Sequence, residues 1–367
     1  MTVDWSGQRG RFPVFERSAY LNAGTFGPLA RDTIAAMQAV REREEREGRS
    51  GRPYVDEMLE RRERVRGLLA AQIGVAPERL ALTASTTQSV QVVVAGLGLG
   101  PDDEVVTTDA EHFGLAGPLI ASGARLRIAR VRGLRVADVF DAVRREATSR
   151  TRLLALSAVS WFDGTLFPWR ELRAEVGVPV LVDGAQAAGA IPVDASDADF
   201  FTVSAQKWLC GPDATGALSV RDLESLRPRL VGYPAAESYD LAAGTWVPKQ
   251  TAARFEPGFG PLSSLAGLEA ALADLPEGRF ERARRLAERC RSLLLDAGRE
   301  VVTEAGQGPL VTFRARSDAA AAAGALYERG VVVRSLPGDE LLRASVGWWN
   351  DEDDLERLVA ALETTGS

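Results

Sequence analysis

Val180-Leu181-Val182-Asp183-Gly184-Ala185-Gln186 runs from an apolar stretch into an acid and a glycine, and Phe200-Phe201-Thr202-Val203-Ser204-Ala205-Gln206-Lys207 repeats the form with a lysine just past its end. Short apolar runs of this kind, separated by helical stretches, are strands buried on both faces of a mostly parallel sheet. In such sheets, functional groups gather beyond the carboxyl ends of the strands. Neighbouring strands would therefore bring Asp183 and Lys207 to one crevice. Taken singly, Asp183 reads equally as a turn residue and Lys207 as a surface cation. Composition separates these readings for the lysine. The 44 basic residues include two lysines, Lys207 and Lys249, against 42 arginines. A lysine kept at a strand end in such a chain points to chemistry that arginine cannot perform, because a guanidinium stays protonated and forms no Schiff base.

Further strands are expected at Leu80 to Thr83, Glu104 to Thr108, Arg125 to Ala129, Arg152 to Ala158 and Gly216 to Val220, with a helix over Val136 to Ala147. The pattern is α/β, a sheet covered by helices on both faces. Two helices rich in Arg and Glu precede it, Thr33 to Glu47 and Val55 to Gln72, and read as solvated faces laced with ion pairs. After Pro261 the pattern becomes helix, helix, strand (Pro309 to Arg314), helix, strand (Val331 to Ser335), strand (Leu342 to Val346), helix. The expected division is a large domain over residues 20–250 and a smaller C-terminal α/β domain over 260–367, joined by residues 1–19.

The 367-residue chain carries a net charge of −7, which disfavours nucleic acid or an anionic membrane as partner. It has no run of about 18 apolar residues and no apolar signal core near its first residues. Two cysteines, Cys210 and Cys290, form neither a disulfide framework nor a metal motif. A cytoplasmic protein without a metal is expected.

Leu82-Thr83-Ala84-Ser85-Thr86-Thr87-Gln88 is a strand running into a hydroxyl-rich helix start. It suits an anion site built on free amides and hydroxyls, and equally plain N-capping by Ser85 or Thr86. Gly96, Gly98 and Gly100 follow a helix and precede a strand, the wrong order for a dinucleotide fingerprint. His112, the one histidine, lies past the strand end at Thr108; it is open to a structural or a functional role.

Asp183 to Gly189 together with Ser204-Ala205-Gln206-Lys207-Trp208-Leu209-Cys210-Gly211-Pro212 resembles the core of the class V aminotransferase family. These are fold-type I enzymes of pyridoxal 5′-phosphate (PLP), among them cysteine desulfurases, kynureninases, isopenicillin N epimerase-like proteins and C–S lyases. The similarity extends from Tyr20-Leu21-Asn22-Ala23-Gly24-Thr25-Phe26-Gly27-Pro28 to Leu342-Arg343-Ala344-Ser345-Val346-Gly347. It implies a sheet of the seven-stranded type, PLP on Lys207 as a Schiff base, and Lys207 as the group moving the Cα proton. Asp183 would pair with the ring nitrogen, His112 stack on the ring, and Gln186 bond the phenolic oxygen. Thr87, the Thr86 amide, Ser204 and Gln206 would hold the phosphate. Arg343 would bind a substrate carboxylate with Asn22 nearby. A homodimer acting on an amino acid is implied.

Three departures stand out. Gln206 replaces the histidine that many relatives carry before the lysine. Phe259 follows Arg254-Phe255-Glu256-Pro257-Gly258 where many relatives carry a threonine that reaches the partner's phosphate. Residues 330–342, where desulfurases carry a nucleophilic cysteine, contain none. Transamination is the expected reaction. β-Elimination from cysteine or an S-substituted cysteine is the alternative, ahead of desulfuration and epimerisation. A non-catalytic role is disfavoured by the retention of Asp183 and Lys207.

Overall fold

Seven of the apolar runs pair into one sheet in the computed structural model, which describes residues 3–338 and 340–364. The strands are β1 (Leu80–Thr83), β2 (Glu104–Thr108), β3 (Arg125–Ala129), β4 (Thr151–Ser157), β5 (Val180–Asp183), β6 (Phe200–Ser204) and β7 (Gly216–Val220). Their spatial order is β1-β7-β6-β5-β4-β2-β3. All neighbours are parallel except β7, which is antiparallel to both β1 and β6. Side chains alternate between the faces. Leu154 and Leu156 of β4 enter the core on one side, and Leu153 and Ala155 the core on the other. This double burial is why β4 to β6 read as unbroken apolar runs. The edge strand β3 carries Arg125 and Arg127 instead, charges that protect an open edge.

The C-terminal third builds a second core around Leu286, Phe313, Leu326, Leu342 and Leu358. Its antiparallel sheet pairs Leu310–Arg314 with Leu341–Ser345, and the latter with Arg334–Ser335. The stretch expected as one strand, Val331 to Ser335, is split. Val331–Val332 pairs in parallel with Ala19–Tyr20 of the N-terminal segment, and Arg334–Ser335 changes partner to the small sheet. Helices Phe113–Ala121 and Trp169–Val176 and an exposed hairpin, Ala236–Asp240 with Thr245–Pro248, were not expected from the sequence pattern. No helix among the described residues is long and apolar enough to cross a membrane.

The Arg/Glu-rich helices do carry surface pairs such as Arg52–Asp56 and Arg61–Glu57. Two arginines depart from the solvated reading. Arg62 and Arg66, both buried on helix Gly51–Gln72, turn inward onto buried Glu256. Glu256 Oε1 also accepts the Leu82 amide at 2.9 Å, and Arg66 donates to the Leu80 carbonyl at 2.6 Å. This ionic cluster covers the free edge of β1 just before the chain turns into the helix start at Ser85. Removing one member leaves buried charge uncompensated, at a cost of about 3–5 kcal/mol. Glu256→Ala should therefore lower the urea midpoint far more than Glu60→Ala on the exposed side of helix Gly51–Gln72, which carries the two arginines. Equal midpoints would contradict this account.

Candidate active site

Asp183 ends β5 and is 4% exposed. Its Oδ1 accepts the Ala185 amide at 2.9 Å and lies 3.4 Å from the Thr202 hydroxyl of β6, leaving Oδ2 for a group in the adjoining cavity. The turn that follows requires glycine. A Cβ at Gly184 would fall 2.2 Å from the Phe201 ring and 2.4 Å from the Thr202 carbonyl.

Lys207 sits on a turn fixed from several sides. Gly211 donates to the Ala205 carbonyl at 2.9 Å and Cys210 to the Lys207 carbonyl at 3.1 Å. Cys210 takes φ 53°, a left-handed conformation costly for a residue with a Cβ. The N-terminal segment holds the outer side: Gly27 donates to the Gln206 carbonyl at 2.8 Å, and a Cβ there would lie 1.9 Å from the Lys207 carbonyl. Trp208 Nε1 donates to Gln186 Oε1, and Gln186 Nε2 donates to the Gly24 carbonyl, both at 2.8 Å. Gln186 thus clamps three segments together and keeps one N–H for the cavity. Burial pushes the Lys207 amine down to about 8, with Asp183 opposing and Arg343 adding to the shift. Near neutrality a useful fraction is the unprotonated, nucleophilic form.

At the start of helix Thr86–Leu97, Ser85 Oγ accepts the Gln88 amide at 3.2 Å, so the capping role is real. It leaves the first-turn amides of Thr86 and Thr87, which have no intrahelical acceptor, for an anion. His112 also caps a helix: its Nδ1 accepts the Gly114 amide at 3.0 Å. That places the proton of the neutral ring on Nε2, and burial together with Lys207 depresses its pKa. The ring stands edge-on to Trp161 at 5.2 Å.

Thr86, Thr87, His112, Asp183, Gln186, Ser204, Gln206 and Lys207 all line one cavity. Arg343 and Asn22 do not line it; Arg343 is tied to the backbone of Trp161, which does. Arg343 is buried, donates through Nη1 to the Trp161 carbonyl at 2.6 Å, and leaves Nε without a partner. Its Nη2 lies 3.4 Å from Thr25 Oγ1, which in turn donates to Asn22 Oδ1 at 2.8 Å. No carboxylate among the described residues pairs with Arg343. Burial and the nearby Arg334 push its guanidinium down to about 9. Arg334, exposed and directly opposite Arg343 in the small sheet, likewise has no carboxylate partner among the described residues. Sequence reasoning missed Trp161, Ser157 and Glu111. Only Glu111, an acid beside the lone histidine past a strand end, carried a signal that could have been followed. A larger cavity next door, bounded by Arg62, Gln88, Thr215 and Phe259, offers no lysine, cysteine, histidine or carboxylate.

The donor set fits PLP: an amine for its aldehyde, a buried carboxylate for its ring nitrogen, and free amides, hydroxyls and an amide side chain for its phosphate. A family model described as Aminotransferase class-V matches residues 20–358. Isopenicillin N epimerase of Streptomyces clavuligerus is 29% identical, with 98% of both chains covered. Cysteine desulfurase of Haloferax volcanii is 31% identical over 78% of this chain and 74% of its own. Among solved structures, a mutant of C-DES with glycine covalently linked to the PLP cofactor superposes with a TM-score of 0.91 at 26% identity, covering 98% of this chain and 99% of the other. The complex of the cystine C–S lyase C-DES with its reaction product cysteine persulfide gives 0.87 at 25% identity, covering 96% and 98%.

The depressed amine has a measurable consequence. Cofactor-free protein should combine with added PLP at a rate that rises with pH and levels off above about 8, because the unprotonated amine attacks and is fully available there. A midpoint near 10.5, the value of a free lysine, would show that Lys207 is not in this environment.

Proposed function

The chain belongs to the class V aminotransferase family of PLP-dependent enzymes, and on that premise we propose that it is a C–S lyase, eliminating sulfur from a cystine-like amino acid. The observation that carries this reading is the placement of the two thiols. Cys210 and Cys290 are both buried. Burial raises both thiols, Cys290 to about 12, so neither supplies a thiolate near neutrality. A relay that takes sulfur onto the protein has no acceptor among them. Direct elimination needs none.

PLP, when bound, supplies the electron sink that lets the substrate's Cα lose a proton. Lys207 Nζ, partly unprotonated, takes that proton. Asp183 keeps the proton on the ring nitrogen. Arg343, a buried cation without an anion, binds the α-carboxylate as a charge-assisted pair. Arg334 offers a second cation to a distal carboxylate, which favours a substrate with two acidic groups. The Cβ–S bond then breaks with its electron pair leaving on sulfur. With water, cystine gives pyruvate, ammonium and cysteine persulfide. The likeness to a cystine C–S lyase and to cysteine desulfurases supports cleavage at sulfur over the transamination suggested by sequence.

The apolar surface supports a homodimer with each site near the interface. Phe113, next to His112, is 75% exposed, and Tyr233, Tyr239, Leu241 and Val247 on and around the hairpin are exposed as well. A second copy would cover them, and sedimentation of an active monomer would contradict the pairing.

A panel of cystine, cysteine, S-alkylcysteines and alanine tests the reaction. The expected result is pyruvate and sulfane sulfur from cystine, with Cys210→Ser and Cys290→Ser retaining turnover. Asp183→Asn should bind PLP yet lose more than about tenfold in turnover, roughly 1.4 kcal/mol. Amino transfer to a keto acid without sulfur release would restore transamination. A persulfide trapped on either cysteine would restore the desulfurase reading.

A further inference from the structure

Behind the cavity wall lies an acid to which none of the roles above is assigned. Glu111 is 8% exposed. Thr108 Oγ1 donates to its Oε1 at 2.9 Å, the Ser157 amide donates to Oε2 at 3.1 Å, and the Ser157 hydroxyl donates to Oε2 as well. No cation among the described residues pairs with it. A buried carboxylate without a counter-ion is costly, and these hydrogen bonds offset only part of that cost. A residue used solely to fill space here would be apolar.

Its position relates it to the cofactor wall. Thr108 ends β2 and Ser157 ends β4, the strand between β2 and β5. Glu111 spans the two ends. The next residue is His112, and Ser157 stands opposite Asp183 in the β4–β5 register. Ala158 then donates to the Asp183 carbonyl at 2.9 Å. One side chain therefore braces the loop that presents His112 and the strand beside Asp183. Burial raises its carboxyl to about 7, and the charge of Asp183 adds to the shift.

We propose that Glu111 is a positioning residue for the cofactor ring, fixing His112 relative to Asp183 and adding its negative charge to the potential that Asp183 sets up there. The proposal rests on the reading of His112 and Asp183 as the ring's contacts. The charged and titratable groups around the cavity are Asp183 from β5, Lys207 beyond β6, His112 on the same loop, and Arg343 and Arg334 from the small sheet. Negative charge raises the proton affinity of its neighbours. An ionised Glu111 therefore favours protonation of the Lys207–cofactor chromophore, and a neutral replacement lowers it.

The test compares PLP-loaded wild type with Glu111→Gln, Glu111→Asp and Ser157→Ala. It follows the pH midpoint of the visible band and the PLP dissociation constant, with thermal unfolding of the cofactor-free forms as a check on folding. Glu111→Gln should unfold at the wild-type temperature, move the midpoint down by about one unit, and weaken PLP binding by about tenfold. Glu111→Asp, which keeps the charge but is too short to span Thr108 and Ser157, should weaken PLP while moving the midpoint less. Ser157→Ala, which keeps the acid and removes one donor, should weaken PLP binding and serves where Glu111→Gln does not fold. Unchanged midpoint and affinity in Glu111→Gln, or unchanged affinity in Ser157→Ala where that variant stands in, overturns the proposal while the functional reading stands. Failure of the wild type itself to take up PLP on Lys207 overturns the functional reading and this proposal together.

Discussion

A lysine amine must be held beside a carboxylate, in a wall dry enough to keep it partly unprotonated and open enough to meet a substrate. The pairing of β5 with β6 meets that demand. Parallel neighbours put Asp183 and the Lys207 turn at the same end of the sheet, and burial depresses the amine while the carboxylate restrains the shift. The rest of the site serves this pair. The left-handed Cys210, the close approach of Gly27, and the clamp of Gln186 between Gly24 and Trp208 all hold the lysine's backbone. A turn braced on this many sides spends conformational freedom before substrate arrives, which is what preorganisation requires.

The charges are arranged with equal economy. Buried Glu256 is matched by two arginines and closes the edge of β1, an ionic solution to a backbone problem. Buried Arg343 has no such match, and an unmatched guanidinium in a protein interior is a receptor for an anion. Glu111 is the converse, an unmatched carboxylate satisfied only by hydrogen bonds. Each sits one residue back from the cavity, Arg343 tied to the Trp161 carbonyl and Glu111 to Ser157, two residues that do line it.

The central sheet was legible in the sequence because β4, β5 and β6 are buried on both faces, which forces unbroken apolar runs ending in polar residues. The Lys207 and Asp183 pair was legible for a second reason, the scarcity of lysine in an arginine-rich chain. Other features depended on pairings that local sequence does not carry. The hairpin at Ala236–Pro248 is exposed and mixed in character, so it has no period to detect. Helix Phe113–Ala121 hides behind two glycines and Pro118. The break at Val333 arises because Val331–Val332 joins an N-terminal strand far away in sequence. Glu111 and Trp161 gain meaning only once β2 lies next to β4 and the small sheet brings Arg343 against the Trp161 carbonyl. The inward turn of Arg62 and Arg66 was hidden because their partner, Glu256, lies about 190 residues downstream.

The most direct test is chemical. PLP-loaded protein is reduced with borohydride, digested, and searched for the peptide carrying the reduced cofactor. The account predicts a single modified peptide containing Lys207, with the visible band lost as it forms. Cofactor on Lys249, or on no lysine at all, would contradict the arrangement of Asp183, His112 and Lys207 from which the rest is argued.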